Sequence, residues 1–220
     1  MGRLFDDANP DWLSGLPART VAPVSFHAQV NSDDDTNFQI PVALNNSLSS
    51  NNYIYMAGHG GFPVYACLRD NVSGDICAFT TASPVQDADE TWQAIQVSGS
   101  SRRSYLNGQN EGTSAVVVGD PVGINTTIIG TSQDLTPTAP FSGVIANVAM
   151  WEVAITEEDC FALGAGGWPP YQQPQDQVFF CPLDGAMSPE PDVYGIKMAL
   201  NGSPVHAETK PLGPRPGAMY

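Results

Sequence analysis

Short apolar runs separated by turn residues recur along the whole chain of 220 residues, and few folds are compatible with this pattern. The 21 glycines and 19 prolines are spread without a regular period, which favours many turns over a collagen-like or disordered repeat. A hydrophobic content of 42% is enough for a core. The pattern predicts an all-β chain, an antiparallel two-sheet sandwich of the jelly-roll kind with one short helix. The predicted strands are 21–30, 38–44, 53–57, 64–68, 76–80, 92–97, 104–106, 115–118, 127–129, 144–151 and 178–181.

Two local motifs predict individual elements. The pair Asn107-Gly108 follows an apolar strand and suits a tight type I′ turn, because both central residues of that turn need a positive φ. Thr156 followed by the acidic residues 157–159 is typical of a helix start, and Gly164 of its end about two turns later. We expect this helix to cap one open end of the sandwich.

No linker or shift of composition divides the chain. We therefore expect residues 1–210 to form a single domain. Residues 211–220 are rich in proline and cannot form a helix or a central strand, so they are expected to form an extended C-terminal arm.

The charge balance excludes several classes of partner. Eight Lys and Arg residues against 23 Asp and Glu residues give a formal net charge of −15. No basic cluster exceeds Arg102-Arg103, so neither nucleic acid nor an anionic membrane is expected as a partner. No apolar run approaches the roughly 20 residues of a membrane-spanning helix. Residues 1–7 lead into acidic sequence without the apolar stretch of a signal peptide, which favours synthesis and folding in a cytosol.

The four cysteines allow three disulfide pairings on paper, and a cytosolic origin favours free, buried thiols. One pairing stays open, because Cys67 and Cys77 flank the turn at 71–74 and can face each other across a hairpin. Cys160 and Cys181 have no such arrangement. The cysteine and histidine spacings also match no structural zinc motif, so no metal of that type is expected.

Catalytic motifs are not found in the sequence, and we expect the protein not to be an enzyme. Retaining glycosidases need two carboxylates about 5 Å apart, which a Glu-x-Asp-x-x-Glu strand can supply, and that spacing does not occur here. A Gly-x-Ser-x-Gly elbow is also missing, and the three histidines have no recognisable partner spacing. The residues weighed and set aside are Glu90, Glu111, Glu152, Glu157, Glu158, Glu190, Glu208, His27, His59 and His206.

One acidic loop resembles the start of a calcium-binding loop. Asp33, Asp35 and Asn37 place oxygen ligands at alternate positions. The EF-hand pattern then fails, because Phe38 replaces the turn glycine and Leu44 replaces the final glutamate. Two interpretations stay open, an isolated calcium ion at the rim of the sandwich and a solvated loop closed by its own Asx turns.

Four sequence elements follow one another in a characteristic order after Trp92. The hairpin Tyr-Leu-Asn-Gly at 105–108 is followed by a strand that ends in Ile-Ile-Gly at 128–130. Next come the strand Phe-Ser-Gly-Val-Ile-Ala-Asn-Val-Ala-Met-Trp at 141–151 and the helix start at 154–159. These elements resemble the laminin-G-like module of the concanavalin A-like lectin and glucanase superfamily. The resemblance implies a concanavalin A-like sandwich.

A looser likeness extends over nearly the whole chain. Residues 1–8 and 180–185 resemble the opening and closing segments of a branch found in bacteriophage and prophage genomes, although Gln29 and Cys181 stand where that family usually has tryptophan. The resemblance implies a structural component of a virion, a capsid decoration or fibre-associated protein on the outer surface. Its implied partners are capsid or fibre subunits and further copies of itself.

The alternative function is a lectin-like, carbohydrate-binding module that attaches a virion to glycans of the host surface. Such a module would use loops at one edge of the sandwich and an exposed aromatic side chain such as Trp12, Trp168 or Tyr171. For Trp92 and Trp151, core packing is favoured over sugar stacking. The sequence alone does not identify the glycan or the binding residues.

Overall fold

The computed structural model describes most of the chain between residues 2 and 207. The described residues are 2–6, 8, 11–33, 37–49, 51–59, 64–70, 74–78, 90–98, 101–116, 119–132, 139–164, 175–183, 190–191, 193–202 and 205–207. At 59, 74–78, 190–191 and 205–207 the description covers the backbone alone. The expected arm at 211–220 lies outside these ranges.

Strands dominate the described part of the chain, as the sequence predicts. The first eight are β1 (Gly2–Phe5), β2 (Trp12–Gly15), β3 (Val24–Ser32), β4 (Phe38–Asn45), β5 (Tyr53–His59), β6 (Tyr65–Asp70), β7 (Gly74–Ala78) and β8 (Glu90–Ser98). They are followed by β9 (Ser101–Leu106), β10 (Gln109–Ser114), β11 (Thr126–Ile129), β12 (Gly143–Trp151), α1 (Glu157–Gly164), β13 (Gln177–Cys181), β14 (Glu190–Pro191), β15 (Lys197–Asn201) and β16 (Val205–Ala207).

The strands form two antiparallel sheets, which confirms the predicted sandwich. Sheet A has the order β10-β9-β8-β3-β12-β1-β16, with β13 also paired to β12. Sheet B has the order β14-β15-β2-β11-β4-β5-β6-β7. The inner faces of both sheets supply one hydrophobic core, in which Phe26 and Trp92 of sheet A belong to the same cluster as Leu44 and Met56 of sheet B. None of the described helices is long and apolar enough to span a membrane.

Local turn chemistry is confirmed at the β9–β10 hairpin. Asn107 and Gly108 have φ values of 53° and 78°, so both central residues of the turn are left-handed as predicted. The asparagine also holds the neighbouring strand, because its Oδ1 accepts the backbone N–H of Thr91 at 2.9 Å. The second strand of this hairpin is β10 at Gln109–Ser114, where no strand was predicted. Of the strand predicted at 115–118, residues 115 and 116 do not form a strand, and residues 117 and 118 lie outside the described residues.

The facing of strand β12 differs from simple alternation. We expect Val144, Ala146, Val148 and Met150 on one face and Ile145, Asn147, Ala149 and Trp151 on the other. In the structure Ile145 and Val148 both point into the main core. The pairing with β3 shifts between Ala146 and Ala149, and Asn147 has a φ of 49°. This β-bulge reverses the facing halfway along the strand, so the predicted alternation holds within each half of the strand but not across the bulge.

Helix α1 begins where the sequence predicts. The Thr156 Oγ1 accepts the backbone N–H of Asp159 at 3.1 Å, and the Asp159 carboxylate accepts the backbone N–H of Thr156 at 2.9 Å. This reciprocal pair is a capping box. The expected position was wrong, because α1 lies on the outer face of sheet A instead of capping an open end. Cys160 and Leu163 pack there on Tyr105 and Trp151 in a second apolar cluster.

The cysteines divide into two groups. Cys160 and Cys181 are free and buried, as expected. Cys67 is disulfide-bonded, which corrects the expectation of a free thiol at this position. Cys77 lies directly opposite Cys67 in the β6–β7 ladder. The facing of Cys67 and Cys77 across the hairpin is therefore a better guide at this position than the expectation of free thiols in a cytosol.

Candidate functional site

The residues weighed for catalysis are dispersed in the structure. Glu90 is buried and its Oε2 accepts the indole N–H of Trp92 at 2.9 Å, which gives this carboxylate a structural partner. Glu111 is buried on β10, Glu152 pairs with Arg19 at 3.0 Å, and Glu157 is exposed on α1. The side chains of Glu190, Glu208, His59 and His206 lie outside the described residues.

The acidic loop gives no support for a metal site in its described part. Asp33 and Asn37 are exposed at the two ends of the β3–β4 connection, and Asp35 lies outside the described residues. No group of three or more metal-ligating His, Cys, Asp or Glu side chains occurs among the residues that are described. A calcium ion at this rim stays a prediction.

Three of the four tryptophans, Trp12, Trp92 and Trp151, lie in the described part of the chain. Trp92 and Trp151 are 0% and 1% exposed, so their predicted core role is confirmed and sugar stacking is excluded for them. Trp92 packs edge-on against Phe141 with ring centroids 6.1 Å apart. Trp12 is half-buried on β2 and points away from the core, since its neighbour Leu13 points into it. Trp168 and Tyr171 lie outside the described residues.

The outer face of sheet B carries a cluster of aromatic side chains that the sequence reasoning missed. Alternation along β5 sends Ile54 and Met56 into the core and Tyr53 and Tyr55 outward, while Phe38 and Tyr65 come from the strands on either side. The ring centroids of Tyr53 and Tyr55 are 5.1 Å apart. Those of Phe38 lie 6.2 Å from Tyr55 and 5.6 Å from Tyr65. We call Phe38, Tyr53, Tyr55, Tyr65 and Arg69 the aromatic face.

Arg69 ends this cluster. Its guanidinium lies 5.7 Å from the centroid of the Tyr53 ring, and its Nη1 donates a hydrogen bond to the Tyr53 hydroxyl at 3.0 Å. This is a cation–π contact combined with a polar one. The three tyrosines are 3–9% exposed, whereas Phe38 and Arg69 are half-buried. The accessible parts of the aromatic face are therefore its two ends.

Two described residues that follow β11, Ser132 and Ala139, contact the strands of this face. The Asn45 side-chain amide donates to the carbonyl of Ser132 at 2.9 Å, and the Ile40 backbone N–H donates to the carbonyl of Ala139 at 3.1 Å. Ala139 also packs on the aromatic cluster. Burial raises the pKa of the Tyr65 phenol, so this hydroxyl stays protonated and able to donate a hydrogen bond at neutral pH.

Amide-rich loops border the Arg69 end. The Asn52 Oδ1 accepts the backbone N–H of Val122 at 3.2 Å, and the Asn125 Oδ1 accepts that of Ser47 at 2.9 Å. These bonds join the β4–β5 turn to the segment before β11. Leu48 and Val122 are exposed on this rim by 84% and 62%, so apolar and amide groups lie side by side on its surface.

A second polar feature lies on the outer face of sheet A. His27 is fully buried, and burial lowers its pKa from 6.5 to about 3. Its Nδ1 is 3.2 Å from the Gln93 Nε2. Burial also raises the pKa of the Cys160 thiol to about 12. The pKa of Tyr105 is raised mainly by burial, with a smaller contribution from Cys160. His27, Cys160 and Tyr105 are therefore all uncharged at neutral pH.

A signal for the aromatic face exists in the sequence. Tyr53 and Tyr55 alternate with apolar residues, and Tyr65 follows in the next strand with its own alternating pattern. Such alternation indicates that one face of a strand is aromatic. Whether that face is the outer one depends on how the strand pairs with distant strands, and the alternation of residues alone does not determine this pairing.

Comparisons with known proteins agree with the fold. A family model described as the concanavalin A-like lectin/glucanases superfamily matches residues 15–160. A search of curated protein sequences found no significant match.

Three solved structures illustrate the likeness. A protein of Bacteroides ovatus described as carbohydrate-binding has a TM-score of 0.63 at 15% identity, over 93% of this chain and 60% of its own. The sialidase CBM40 of Ruminococcus gnavus, bound to α2,3-sialyllactose, has a TM-score of 0.55 at 13% identity, over 66% and 84%. Domain 4 of a GH43 arabinanase from Geobacillus stearothermophilus, in complex with arabinotriose, has a TM-score of 0.54 at 15% identity, over 68% and 71%.

The laminin-G-like resemblance seen in the hairpin, in strand β12 and in the capped helix thus agrees with the sandwich topology and with the family model. That model covers well over half of the chain. The protein belongs to the concanavalin A-like lectin/glucanase superfamily.

Proposed function

We propose that the protein is a lectin-like, carbohydrate-binding module whose ligand contacts the aromatic face of sheet B. The observation that carries the proposal is the continuous contact from Arg69 through Tyr53 and Tyr55 to Phe38 on a face that does not form the main core. Small-molecule sites combine apolar and aromatic surface with a few placed polar groups. The half-buried Phe38 offers apolar surface, and the half-buried guanidinium of Arg69 offers hydrogen bonds to sugar hydroxyls.

The similar solved structures support this proposal. Two of the three are described with a saccharide bound, and the third is described as carbohydrate-binding. Their identities of 13–15% place them as relatives in fold, so the glycan of this chain is left to experiment.

A glycan array tests the proposal. The folded protein is screened against neutral and acidic oligosaccharides with and without calcium, which also tests the predicted rim site at Asp33, Asp35 and Asn37. We expect specific binding to at least one oligosaccharide. A protein that is folded by circular dichroism and binds no glycan in either condition contradicts the proposal.

Matched arginine variants then locate the site. A hydrogen bond that involves a charged group contributes about 1.5–3 kcal/mol, so Arg69→Gln should weaken binding by roughly 10- to 100-fold. Arg19→Gln is the control, because Arg19 is also half-buried but pairs with Glu152, away from the aromatic face. Equal affinity of the two variants would place the ligand elsewhere.

The remaining functional expectations stay predictions. A role in a phage virion, with capsid or fibre subunits and further copies of the chain as partners, rests on the resemblance of residues 1–8 and 180–185. Localisation in a virion and the lack of enzymatic activity likewise stay predictions. The carbohydrate-binding proposal is compatible with them, since a virion surface protein can carry a glycan-binding face.

A further inference from the structure

Three polar side chains form a continuous row across the outer face of sheet A. His27 of β3 lies directly opposite Gln93 of β8, and Gln93 lies directly opposite Tyr105 of β9. Adjacent strands are about 4.8 Å apart, so the three side chains follow one another within roughly 10 Å. Each of the three residues is 0% exposed.

Each residue of this row keeps one polar atom that has no hydrogen-bond partner among the described residues. These atoms are the His27 Nε2, the Gln93 Oε1 and the Tyr105 hydroxyl. The Asn110 side chain slightly lowers the pKa of Tyr105 but forms no hydrogen bond of normal geometry with its hydroxyl. A buried polar group without a hydrogen bond is energetically costly, so three in one row indicate a shared partner.

The chemistry of the three atoms defines that partner. The Gln93 amide donates to the His27 Nδ1, so the neutral imidazole carries its proton on Nε2 and offers a donor there. The Gln93 Oε1 is an acceptor, and the Tyr105 hydroxyl is both. A flipped Gln93 amide would exchange donor and acceptor at His27 and Gln93, and the row would still contain both kinds.

A mixed set of donors and acceptors does not suit an ion. A cation needs acceptors alone, and an anion needs donors alone. A neutral molecule that both donates and accepts can satisfy the row. The complete burial of all three residues restricts this molecule to the size of water. Cys160 and Leu163 of α1 pack on the Tyr105 end of the row.

We propose that this row on the outer face of sheet A is a binding site for an ordered internal water molecule. This water accepts the hydrogen bond of the His27 Nε2–H and donates to the Gln93 Oε1 or the Tyr105 hydroxyl. It connects strands β3, β8 and β9, and it makes the polar row part of the packing on this face of the sheet. The proposal does not depend on the carbohydrate-binding function.

A crystal structure of the native protein at about 1.5 Å resolution tests the site directly. We expect a density peak about 2.7–3.2 Å from the His27 Nε2 and within the same reach of one of the other two atoms. The proposal is overturned if no peak lies within this reach of any of the three and the Tyr105 hydroxyl instead donates directly to the Gln93 Oε1.

A solution measurement removes any dependence on crystals. We expect a nuclear Overhauser effect between the His27 ring protons and a long-lived water molecule in the native protein, and its loss in Gln93→Met, which keeps the side-chain length but removes the amide. If Gln93→Met does not fold, Tyr105→Phe replaces it, and the cross-peak should weaken. A native protein without the cross-peak, or variants in which it is unchanged, would contradict the proposal.

Discussion

Acid should destabilise the protein through His27. This side chain is fully buried and its folded pKa is about 3, whereas an exposed histidine titrates near 6.5. Because the unfolded chain binds the proton more readily, the stabilising contribution of the neutral imidazole is complete above pH 6.5. It is lost progressively as the pH falls from 6.5 towards 3.

The size of the effect follows from the two pKa values. With an unfolded pKa of 6.5 and a folded pKa of about 3, lowering the pH from 7 to 5 removes about 2 kcal/mol of unfolding free energy. Domains of this kind are stable by about 5–15 kcal/mol, so this one group accounts for a measurable share.

Urea denaturation at pH 7 and pH 5 measures this contribution. The comparison uses the native protein and His27→Gln, in which the position no longer titrates. Although His27→Gln should be less stable at pH 7, its loss between the two pH values should be smaller than the native loss by about 2 kcal/mol. Contributions of the acidic residues are common to both proteins and cancel in this difference.

Ser25→Ala provides a matched control. Ser25 lies on the same strand and face and is fully buried, and its hydroxyl is hydrogen-bonded to the backbone of Val153 and Ile155. Its removal should lower stability without changing the pH dependence. The reasoning is refuted if native protein and His27→Gln lose the same stability between pH 7 and pH 5.

Three further predictions concern packing and cysteine chemistry. A Cβ atom at Gly58 would lie 2.4 Å from the ring of the buried Trp92, so Gly58→Ala should lower the unfolding free energy by about 1–3 kcal/mol, measured by urea denaturation. The double variant Cys67→Ala, Cys77→Ala should lose about 3 kcal/mol of unfolding free energy, because the disulfide closes a loop of about 11 residues. If reduction of the native protein left the midpoint of its urea denaturation unchanged, this prediction would be contradicted. The Cys160 thiol, with its pKa of about 12, should not react with a thiol reagent in the native protein at pH 8 and should react after unfolding.

Features with a local chemical cause were predictable from the sequence. The Asn107-Gly108 turn needs positive φ at two positions, and the α1 start needs a hydroxyl and a carboxylate three residues apart. Both requirements are met by neighbours in the chain. The strand before the turn was therefore placed to within a few residues, whereas the strand after it was not.

Features that depend on distant contacts were not predictable. The bulge at Asn147 reverses the facing of β12, and nothing in the alternation of 144–151 indicates it. The four-residue strand β2 is too short to show a period, and it forms only because β11 and β15 lie on either side.

The candidate site shows the same division. The alternation at Tyr53 and Tyr55 was visible, but the contact of these rings with Phe38 and Arg69 joins three strands of sheet B. The row of His27, Gln93 and Tyr105 likewise comes from three strands of sheet A. Such a row exists only once the register is fixed, and the register is set by pairing across the whole sheet.

The location of the bound sugar tests the central claim most directly. A two-dimensional ¹⁵N NMR titration with the strongest oligosaccharide from the array gives this location in solution. The account predicts that the amide shifts concentrate at Phe38, Tyr53, Tyr55 and Arg69 on the outer face of sheet B. Shifts confined to α1 and the outer face of sheet A, with the aromatic face unchanged, would contradict it.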